Sequence, residues 1–471
     1  IEHKNSKVLD KIVDIKHYDM GFFTNPFESN NYGVFAPIND FKTIFSENKD
    51  KEWRKAASFA YKNGNGNSVR IARANVIGIV KDDKIDMLKT PLEVGSAVYR
   101  ASKDTLDKLL KTKLSGSAMG FPIQIGKLID SSIDVFIDGD EVLNKHMLII
   151  GSTGSGKSYF TKHFISQLVN EACERKPQVF IFDPHGEYYD SLKDNINEEL
   201  IDHICFDDVL VPAEPDDIEE LISGVGYGEL ISGNSNAAKN NKSKILKYIS
   251  KLRQDFMNNK QVDNLRDLLV GMASNDNIGT EIIDSIIAVY SEKYIENQRG
   301  VFDKINNAIN SLKPVVILNL KNVYLPKNRT NIVGLFMQKA LKINKENPNN
   351  RKLLVLEEAH NFAPEKGYGD SSSGKDNISL TLSRAIASEG RKFNIGLIVI
   401  TQRPAQVSKY VLSQMNTQVV FRTINDSDLK AISTLIEYVG EESIKSFPNL
   451  STGVGMVSGV GVRMSILFRC S

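Results

Sequence analysis

Cysteine is scarce in this chain: only Cys173, Cys205 and Cys470 occur among 471 residues, far apart and without a CxxC spacing. Neither a disulfide framework nor a structural zinc site can be built from them, and a reducing compartment is expected. No run of about 18 apolar residues suggests a membrane span, and the charged first residues do not resemble a signal peptide. The sequence therefore predicts a cytoplasmic protein without a membrane anchor.

The chain also lacks an excess of charge of either sign. It contains 59 Lys and Arg residues against 58 Asp and Glu residues, a formal net charge of +1. A protein that coats itself with nucleic acid through bulk charge is thereby excluded, so any contact with DNA must use a local patch or a lined channel. Hydrophobic residues make up 41% and charged residues 25%, which is typical of a globular protein.

The length predicts about three domains at about 150 residues each. Residues 1–135 contain short β-prone runs, such as 68–80, broken by Gly, Asn and Pro, and favour a small β-barrel. Residues 136–204 and 311–471 alternate apolar strands with helices, the pattern of an α/β fold with a mainly parallel sheet. Residues 205–310 are polar and helical, and predict a helical insertion subdomain within that core.

A phosphate-loop pattern lies in the α/β part. Gly151–Ser158 matches GxxxxGK[ST], with the apolar strand Met147–Ile150 before it and an amphipathic helix after it. Unpaired N–H groups and the dipole at a helix N-terminus attract phosphate. Lys157 is expected to contact the β- and γ-phosphates of ATP, and the Ser158 hydroxyl to hold Mg²⁺. The expected nucleotide-binding residues are Gly151, Ser152, Thr153, Gly154, Ser155, Gly156, Lys157, Ser158 and Tyr159. The alternative is a chance glycine-rich turn.

A pair of carboxylates follows another apolar strand. Leu353–Leu356 runs directly into Glu357 and Glu358, the form of a Walker B strand. Glu357 is expected to orient the water shell of Mg²⁺, and Glu358 to polarise the attacking water as general base. Asp is more usual at the first of these positions, and Glu reaches further. The alternative is a pair of solvated loop charges.

Two more strand ends carry polar residues. Asp183 ends the buried strand Val179–Asp183, and ligand-binding groups gather at the carboxyl ends of parallel strands, so Asp183 is expected to face the nucleotide. The strand Gly396–Thr401 is followed by Gln402. In RecA-type motors a polar residue at the end of the strand next to Walker B senses the γ-phosphate, the role predicted for Gln402. The alternative for Gln402 is a polar turn closed by proline.

The end of a predicted helix, around residues 383–393, is rich in cations. Ring-shaped NTPases need an arginine that reaches across a subunit boundary and neutralises the charge that develops in phosphoryl transfer. Arg384 is the first candidate and Arg391 the second. For Arg391 and Lys392 the alternative is cations that offset the dipole at a helix C-terminus.

Taken together, these motifs resemble the HerA family of DNA translocases and helicases, in the FtsK/HerA branch of RecA-like P-loop ATPases. The resemblance spans residues 140–465 and is carried by seven segments: His146–Ser158, Asp183–Tyr188, Leu356–Pro364, Glu389–Phe393, Thr401–Pro404, Leu412–Gln414 and Asn416–Gln418. It implies a RecA-like core with a helical subdomain, an N-terminal β-barrel that helps to assemble a ring, and C-terminal strands that brace a neighbouring subunit.

The resemblance further implies a homo-hexamer that threads double-stranded DNA through its central channel with the energy of ATP. HerA relatives work with a partner, the NurA nuclease in DNA end processing, or nuclease and sirtuin-like NADase effectors in anti-phage defence. The expected channel elements are Glu365–Asn377, with Lys366 and Lys375, and Arg403–Lys409; the alternative is that both are surface loops.

Two other functions stay open on the sequence. One is a nucleotide-gated ring scaffold that assembles and activates a partner effector, with hydrolysis as a timer. The other is a pump ATPase for conjugation or type IV secretion, which shares the fold but usually works at a membrane.

Overall fold

The structure is a computed structural model. The structure describes the backbone of residues 2–3, 6–19, 68–81 and 84–86, and it describes residues 102–111, 119–170, 176–209, 211, 217, 222–223, 226–233, 235–257, 270–271, 279–289, 292–368, 377–436 and 441–470. Two compact units are formed, Ile1–Ser102 and Lys103–Ser471. No helix in these described ranges is long and apolar enough to cross a lipid bilayer.

The first unit contains an antiparallel sheet of four strands in the order β1-β2-β3-β4. The strands are β1 (Glu2–His3), β2 (Ser6–Asp19), β3 (Ser68–Lys81) and β4 (Lys84–Asp86). The strand expected at residues 68–80 is therefore present as β3. The other β-prone runs of this part lie outside the described residues, so the β-barrel stays a prediction.

The second unit is built on a sheet of eleven strands. They are β5 (Pro122–Leu128), β6 (Asp134–Asp138), β7 (Met147–Ile150), β8 (Gln178–Asp183), β9 (Ile201–Asp207), β10 (Val315–Asn322), β11 (Lys352–Leu356), β12 (Ile395–Thr401), β13 (Thr417–Phe421), β14 (Val454–Gly459) and β15 (Ile466–Arg469). Their order is β6-β5-β15-β14-β13-β7-β12-β11-β8-β10-β9. Strands from β13 to β9 run parallel, and the β6-to-β14 side is antiparallel.

Helices cover both faces of this sheet. They are α1 (Lys103–Leu110), α2 (Gly139–Lys145), α3 (Lys157–Asn170), α4 (Tyr188–Leu192), α5 (Asn236–Met257), α6 (Thr280–Val289), α7 (Glu292–Asn310), α8 (Pro326–Glu346), α9 (Ile378–Glu389), α10 (Lys409–Ser413), α11 (Asp426–Leu435) and α12 (Glu441–Ser446). The parallel α/β core expected from the sequence is confirmed.

The central strands consist mainly of apolar residues because both of their faces are buried. Successive side chains of a strand point to opposite faces, and on β7 Leu148 and Ile150 belong to one hydrophobic cluster while Met147 and Ile149 belong to the other. Strands buried on both faces form continuous apolar runs. Their carboxyl ends meet at one edge of the sheet, which is where the sequence places its polar motifs.

The helices between residues 236 and 310 share the main core. Ile249 of α5, Ile286 of α6 and Phe302 of α7 are buried in the same cluster as Phe336 of α8, on one face of the sheet. Burial of each such side chain contributes about 1.5–3 kcal/mol. This helical segment therefore packs as part of the second unit.

The domain boundary differs from the expected organisation, and the pairing of the C-terminal strands adds to it. The compact units divide after Ser102, and the β5–β6 hairpin, at residues 122–138, pairs with β15 of the larger sheet, so it crosses the boundary expected at 135. The C-terminal strands β14 and β15 pair with β13 and β5 of their own chain, and their expected contact with a neighbouring subunit stays a prediction. Antiparallel pairing with the adjacent edge satisfies their backbone groups locally.

Candidate active site

The phosphate loop connects β7 to α3 at the carboxyl edge of the sheet. It contains two glycines with positive φ, Gly154 at 71° and Gly156 at 113°, a backbone region that side chains rarely adopt. At Gly156 an added Cβ would also lie 3.1 Å from backbone atoms of Gly453. Strand, glycine-rich turn and helix N-terminus thus follow the geometry of a phosphate site.

The C-terminal part of the chain holds this loop from the side. The N–H of Ser152 donates to the carbonyl of Arg422 at 2.8 Å, and the N–H of Gly453 donates to the carbonyl of Ser155 at 3.0 Å. Beneath the loop, Phe160 of α3 packs against Phe421, with ring centroids 5.5 Å apart. The loop conformation therefore depends on strands that lie almost 300 residues later in the sequence.

Lys157 begins α3 and is buried. Its Nζ donates to the carbonyl of Ser152 at 3.2 Å, so the ammonium lies over the loop. Burial lowers the pKa of Lys157, and the charges of Glu358 and Glu357 act in the opposite direction. A phosphate group placed here would favour the charged ammonium in the same way.

Glu357 follows β11 and is only 6% exposed. Its Oε2 accepts a 2.5 Å hydrogen bond from the hydroxyl of Tyr188, at the start of α4. Burial raises the pKa of Glu357 to about 7, and Glu358 adds to the rise, whereas the hydrogen bond from Tyr188 acts to lower it. Tyr188 thus holds Oε2 of Glu357, and in this way it also sets the orientation of Oε1.

Glu358 has a left-handed backbone, with φ 50° and ψ 53°. Such a conformation costs a non-glycine residue about 1–3 kcal/mol and is concentrated at functional sites. Oε1 accepts from Nε2 of Gln402 at 2.9 Å, while the buried Oε2 has no hydrogen-bond partner among the described residues. Nδ1 of His360 lies 3.3 Å from Oε2, but burial lowers the pKa of His360 to about 4, so this contact is not an ion pair at neutral pH.

Gln402 links the carboxylate to the phosphate loop. It follows β12, which lies between β7 and β11 in the sheet. Its Oε1 accepts from the hydroxyl of Thr153 at 2.6 Å. An ionised carboxylate can only accept, so the amide must turn its nitrogen to Glu358 and its oxygen to Thr153. The structure therefore brings together Thr153, Glu358 and Gln402, which belong to three separate motifs of the sequence.

Asp183 lies at the same edge of the sheet. The sequence predicted that it faces the nucleotide, but its carboxylate accepts backbone N–H groups of the following turn. Its side chain is 1% exposed. Oδ1 accepts the N–H groups of His185 and Gly186, at 3.1 and 2.8 Å, and Oδ2 accepts the N–H of Tyr188 at 2.9 Å. Asp183 thus shapes the turn that presents Tyr188 to Glu357, and it acts on the site through that turn.

The two candidate arginines lie in different places. Nε of Arg384, on α9, is 3.4 Å from Oγ of Ser408. Arg391 is exposed, just before β12 begins, at the amino ends of the strands. Because β12 extends for about 20 Å at about 3.3 Å per residue, Arg391 is remote from the phosphate loop of its own chain. A third cation, Lys145 of α2, forms an ion pair with Glu141 one turn earlier in the same helix, with 2.9 Å between Nζ and Oε2.

The arrangement fits ATP with an associated Mg²⁺. Ser158 lies in the first turn of α3, and the Glu357 carboxylate is held by Tyr188. In the ranges that the structure describes, no cluster of three or more His, Cys, Asp or Glu side chains could hold a metal ion alone. An ion shared with substrate phosphates needs only one or two protein ligands, because Mg²⁺ keeps waters and phosphate oxygens around it.

A parallel sheet, a phosphate loop and a Walker B carboxylate pair define a P-loop ATPase. The family model described as "Helicase HerA, central domain" matches residues 123–340. An uncharacterised protein of Aquifex aeolicus is 55% identical over 41% of this chain and 70% of its own length. A probable helicase of Methanocaldococcus jannaschii is 27% identical over 86% of this chain and 80% of its own.

The DNA double-strand break repair helicase HerA of Sulfurisphaera tokodaii is 29% identical, over 82% of this chain and 75% of that protein. The chain belongs to the HerA family and is an ATP-hydrolysing enzyme. Among solved structures, VirB4 of Thermoanaerobacter pseudethanolicus is 15% identical, covering 75% of this chain and 97% of that one, with a TM-score of 0.49.

Several residues of the site were not predicted from the sequence. Tyr188 stands in the Asp183–Tyr188 segment, but only the fold shows that its hydroxyl reaches Glu357. Gly453 lies directly before β14, and its contact with the phosphate loop gives no local signal in the sequence. An invariant glycine in an alignment of relatives is the kind of signal that could have identified it.

Proposed function

We propose that the chain is the motor subunit of a ring that translocates on double-stranded DNA at the expense of ATP. The observation that carries the proposal is Glu358: its Oε1 is held by Gln402, and its buried Oε2 has no hydrogen-bond partner in the described part of the chain. A buried, oriented carboxylate with an open acceptor position is suited to take a proton from water. Family membership supports DNA as the track.

In this proposal each site residue has one task. The N–H groups of the phosphate loop and the ammonium of Lys157 bind the phosphates of ATP. Ser158 and Glu357 hold Mg²⁺, which supplies charge neutralisation when it is bound. Glu358 accepts a proton from the attacking water, while Gln402 detects whether a γ-phosphate is present. Tyr188 and Asp183 keep Glu357 and its turn in place.

The ring and its partners extend the proposal. In the proposed homo-hexamer, Arg384, or secondarily Arg391, reaches the nucleotide of a neighbouring subunit. Arg391 is remote from the phosphate loop of its own chain, so it can act on a nucleotide only in trans. The names of the relatives, which are DNA double-strand break repair helicases, support a role in DNA repair. A nuclease partner in DNA end processing, an NADase effector and a role in anti-phage defence follow from the family resemblance alone. We place the assembly in the cytoplasm.

Steady-state ATPase activity, measured with and without linear duplex DNA at two salt concentrations, tests the motor. We expect a rise in rate with DNA that weakens at higher salt, because phosphate contacts release counterions. Lys157→Ala should abolish nucleotide binding, and Glu358→Gln should lower kcat by about 100-fold or more while ATP still binds. Undiminished turnover in Glu358→Gln would remove the general-base assignment.

The scaffold alternative gives a different result in the same assay. A ring that waits for a partner effector shows no response to duplex DNA, and its hydrolysis rises only when that partner is added. A flat response of the wild-type protein to DNA at both salt concentrations would therefore replace the motor proposal by the scaffold.

A further inference from the structure

The turn that carries Tyr188 is also supported by a strand farther out in the sheet. The next residue, Tyr189, is half-buried, and its ring stacks on the ring of His203 in β9. The two ring centroids are 4.3 Å apart, and the ring planes lie 8° from parallel. Stacked rings stabilise a structure beyond the area that they bury. Because Tyr188 and Tyr189 are consecutive, a ring that is held at Tyr189 restricts the backbone that carries Tyr188.

A hydrogen bond fixes the orientation of the His203 ring. Oδ1 of Asn319, on β10, accepts the backbone N–H of Lys321 at 3.0 Å, so Nδ2 of the same amide is turned to Nε2 of His203, also at 3.0 Å. An amide nitrogen can only donate, so Nε2 accepts and the imidazole is neutral, with its proton on Nδ1. Partial burial lowers the pKa of His203, while the charges of Asp183 and Asp190 act in the opposite direction. The neutral ring is thereby held in one orientation.

The same asparagine lies against the turn that begins at Asp183. Gly186, within this turn, has a φ of 73°, and a Cβ added there would lie 3.3 Å from both polar atoms of the Asn319 side chain. In the sheet Asn319 pairs with Asp183 on one side and with Cys205 on the other. Paired residues point to the same face of a sheet, and so does His203, two residues before Cys205. Strands β10 and β9 thus support the turn on the face where it lies.

A continuous series of contacts joins the outermost strand to the active site. His203 stacks on Tyr189, the backbone joins Tyr189 to Tyr188, and the hydroxyl of Tyr188 donates to Glu357. The sheet has the order β11-β8-β10-β9 here, so three strand spacings of about 4.8 Å place β9 about 14 Å from β11. Over that distance His203 can act on Glu357 only through the residues between them.

We propose that His203 is a positioning residue for ATP hydrolysis: by stacking on Tyr189 it fixes the turn from which Tyr188 orients Glu357. This rests on the proposed function, in which Glu357 holds Mg²⁺. Residues that orient a metal-holding carboxylate from outside matter nearly as much as the carboxylate itself, because they decide where its oxygens point. Without the stack the turn shifts, the Tyr188 hydroxyl leaves Oε2, and the carboxylate adopts other orientations. The phosphate loop is untouched by this change, so binding of ATP is preserved.

The variants His203→Ala and His203→Phe test the stack. Alanine removes the ring, whereas phenylalanine keeps a ring that stacks on Tyr189. As control, Cys205→Ala shortens an exposed side chain on the same face of β9 and leaves both rings in place. We expect His203→Ala to lower kcat about threefold or more with KM for ATP unchanged, as for the loss of a stacked pair. His203→Phe should restore kcat, and the control should keep it. Wild-type kcat in His203→Ala, or no rescue by His203→Phe, overturns the proposal.

Two further measurements test the route through Tyr188. Amide hydrogen exchange of residues 184–192, measured without nucleotide, should be faster in His203→Ala and normal in His203→Phe; unchanged exchange in His203→Ala overturns the support of the turn.

The double variant Tyr188→Phe/His203→Ala should have the kcat of Tyr188→Phe alone, because the second change acts through a hydroxyl that is already absent. Losses that multiply in the double variant overturn the route. Wild-type kcat in Tyr188→Phe itself would instead contradict the task of Glu357 in the proposed function, so the two failures are distinguishable.

Discussion

His146 offers a test of how the elements around the active site are held together. It lies between α2 and β7 and is buried. Its Nδ1 accepts the N–H of Leu397 on β12 at 3.0 Å, and its Nε2 contacts the carbonyl of Ala387 on α9 at 3.1 Å. One neutral imidazole, with the proton on Nε2, satisfies both partners. It thus joins the strand of the phosphate loop to the strand of Gln402 and the helix of Arg384.

Acidification should weaken this junction. Burial lowers the pKa of His146 to about 4, from the ordinary 6.5, and the contact with Ala387 acts in the opposite direction. The unfolded chain therefore takes up a proton as the pH falls below 6.5, while the folded chain does so only near pH 4. The contribution of the neutral His146 to the free energy of unfolding is complete above pH 6.5 and is lost as the pH falls. The loss is about 2 kcal/mol at pH 5 and about 3 kcal/mol below pH 4.

The variant His146→Asn isolates this contribution, because an amide oxygen can still accept from Leu397 but does not titrate. We expect a loss of about 1–3 kcal/mol at pH 7.5, from the unpaired carbonyl of Ala387. Urea unfolding followed by circular dichroism, at intervals from pH 7.5 to pH 5, gives the free energy of unfolding of both proteins. Other titrating groups are common to both proteins and cancel in the difference. The wild-type advantage should therefore shrink by about 2 kcal/mol over this range; curves that stay parallel would refute the reasoning.

Two further changes test the site. Gly156→Ala places a Cβ at φ 113° and 3.1 Å from Gly453, so binding of a fluorescent ATP analogue should weaken tenfold or more, whereas Gly300→Ala, in the open part of α7, should bind it normally. Tyr188→Phe removes the hydroxyl that orients Glu357, and kcat should fall about tenfold, as expected for a lost hydrogen bond to a charged group. The control Tyr189→Phe removes a hydroxyl that contacts the exposed Glu198, and it should keep the wild-type kcat. Equal effects of both tyrosine variants would contradict the role of Tyr188 in orienting Glu357.

Local patterns were sufficient for the central architecture. The runs at Met147–Ile150, Val179–Phe182 and Leu353–Leu356 are apolar at every position, and the structure has strands there whose two faces are both covered. The spacing of GxxxxGK[ST] predicts a strand, a turn and a helix in that order, because each glycine meets a backbone requirement within a few residues. Such signals are short in range, so a single sequence contains them completely.

Other elements were missed because their stability comes from distant pairing. β9 and the β5–β6 hairpin have mixed burial, and β13 begins with the polar residues Thr417 and Gln418; these strands form because neighbouring strands offer unsatisfied backbone groups. The C-terminal strands were expected, but the sequence did not show which strands of the sheet they pair with. Register with β13 of the same chain depends on the whole sheet, and no local pattern specifies it.

The sequence by itself determined which side chains could perform phosphate chemistry, because a lysine, a hydroxyl and a pair of glutamates can be identified from type and spacing. Only the tertiary structure decided what each one contacts. It turned Asp183 into the support of a turn, placed Tyr188 on Glu357, and joined Thr153, Gln402 and Glu358 by hydrogen bonds. Hydrogen bonds act over about 3 Å, whereas these partners lie up to about 250 residues apart along the chain, so their meeting is a property of the folded sheet.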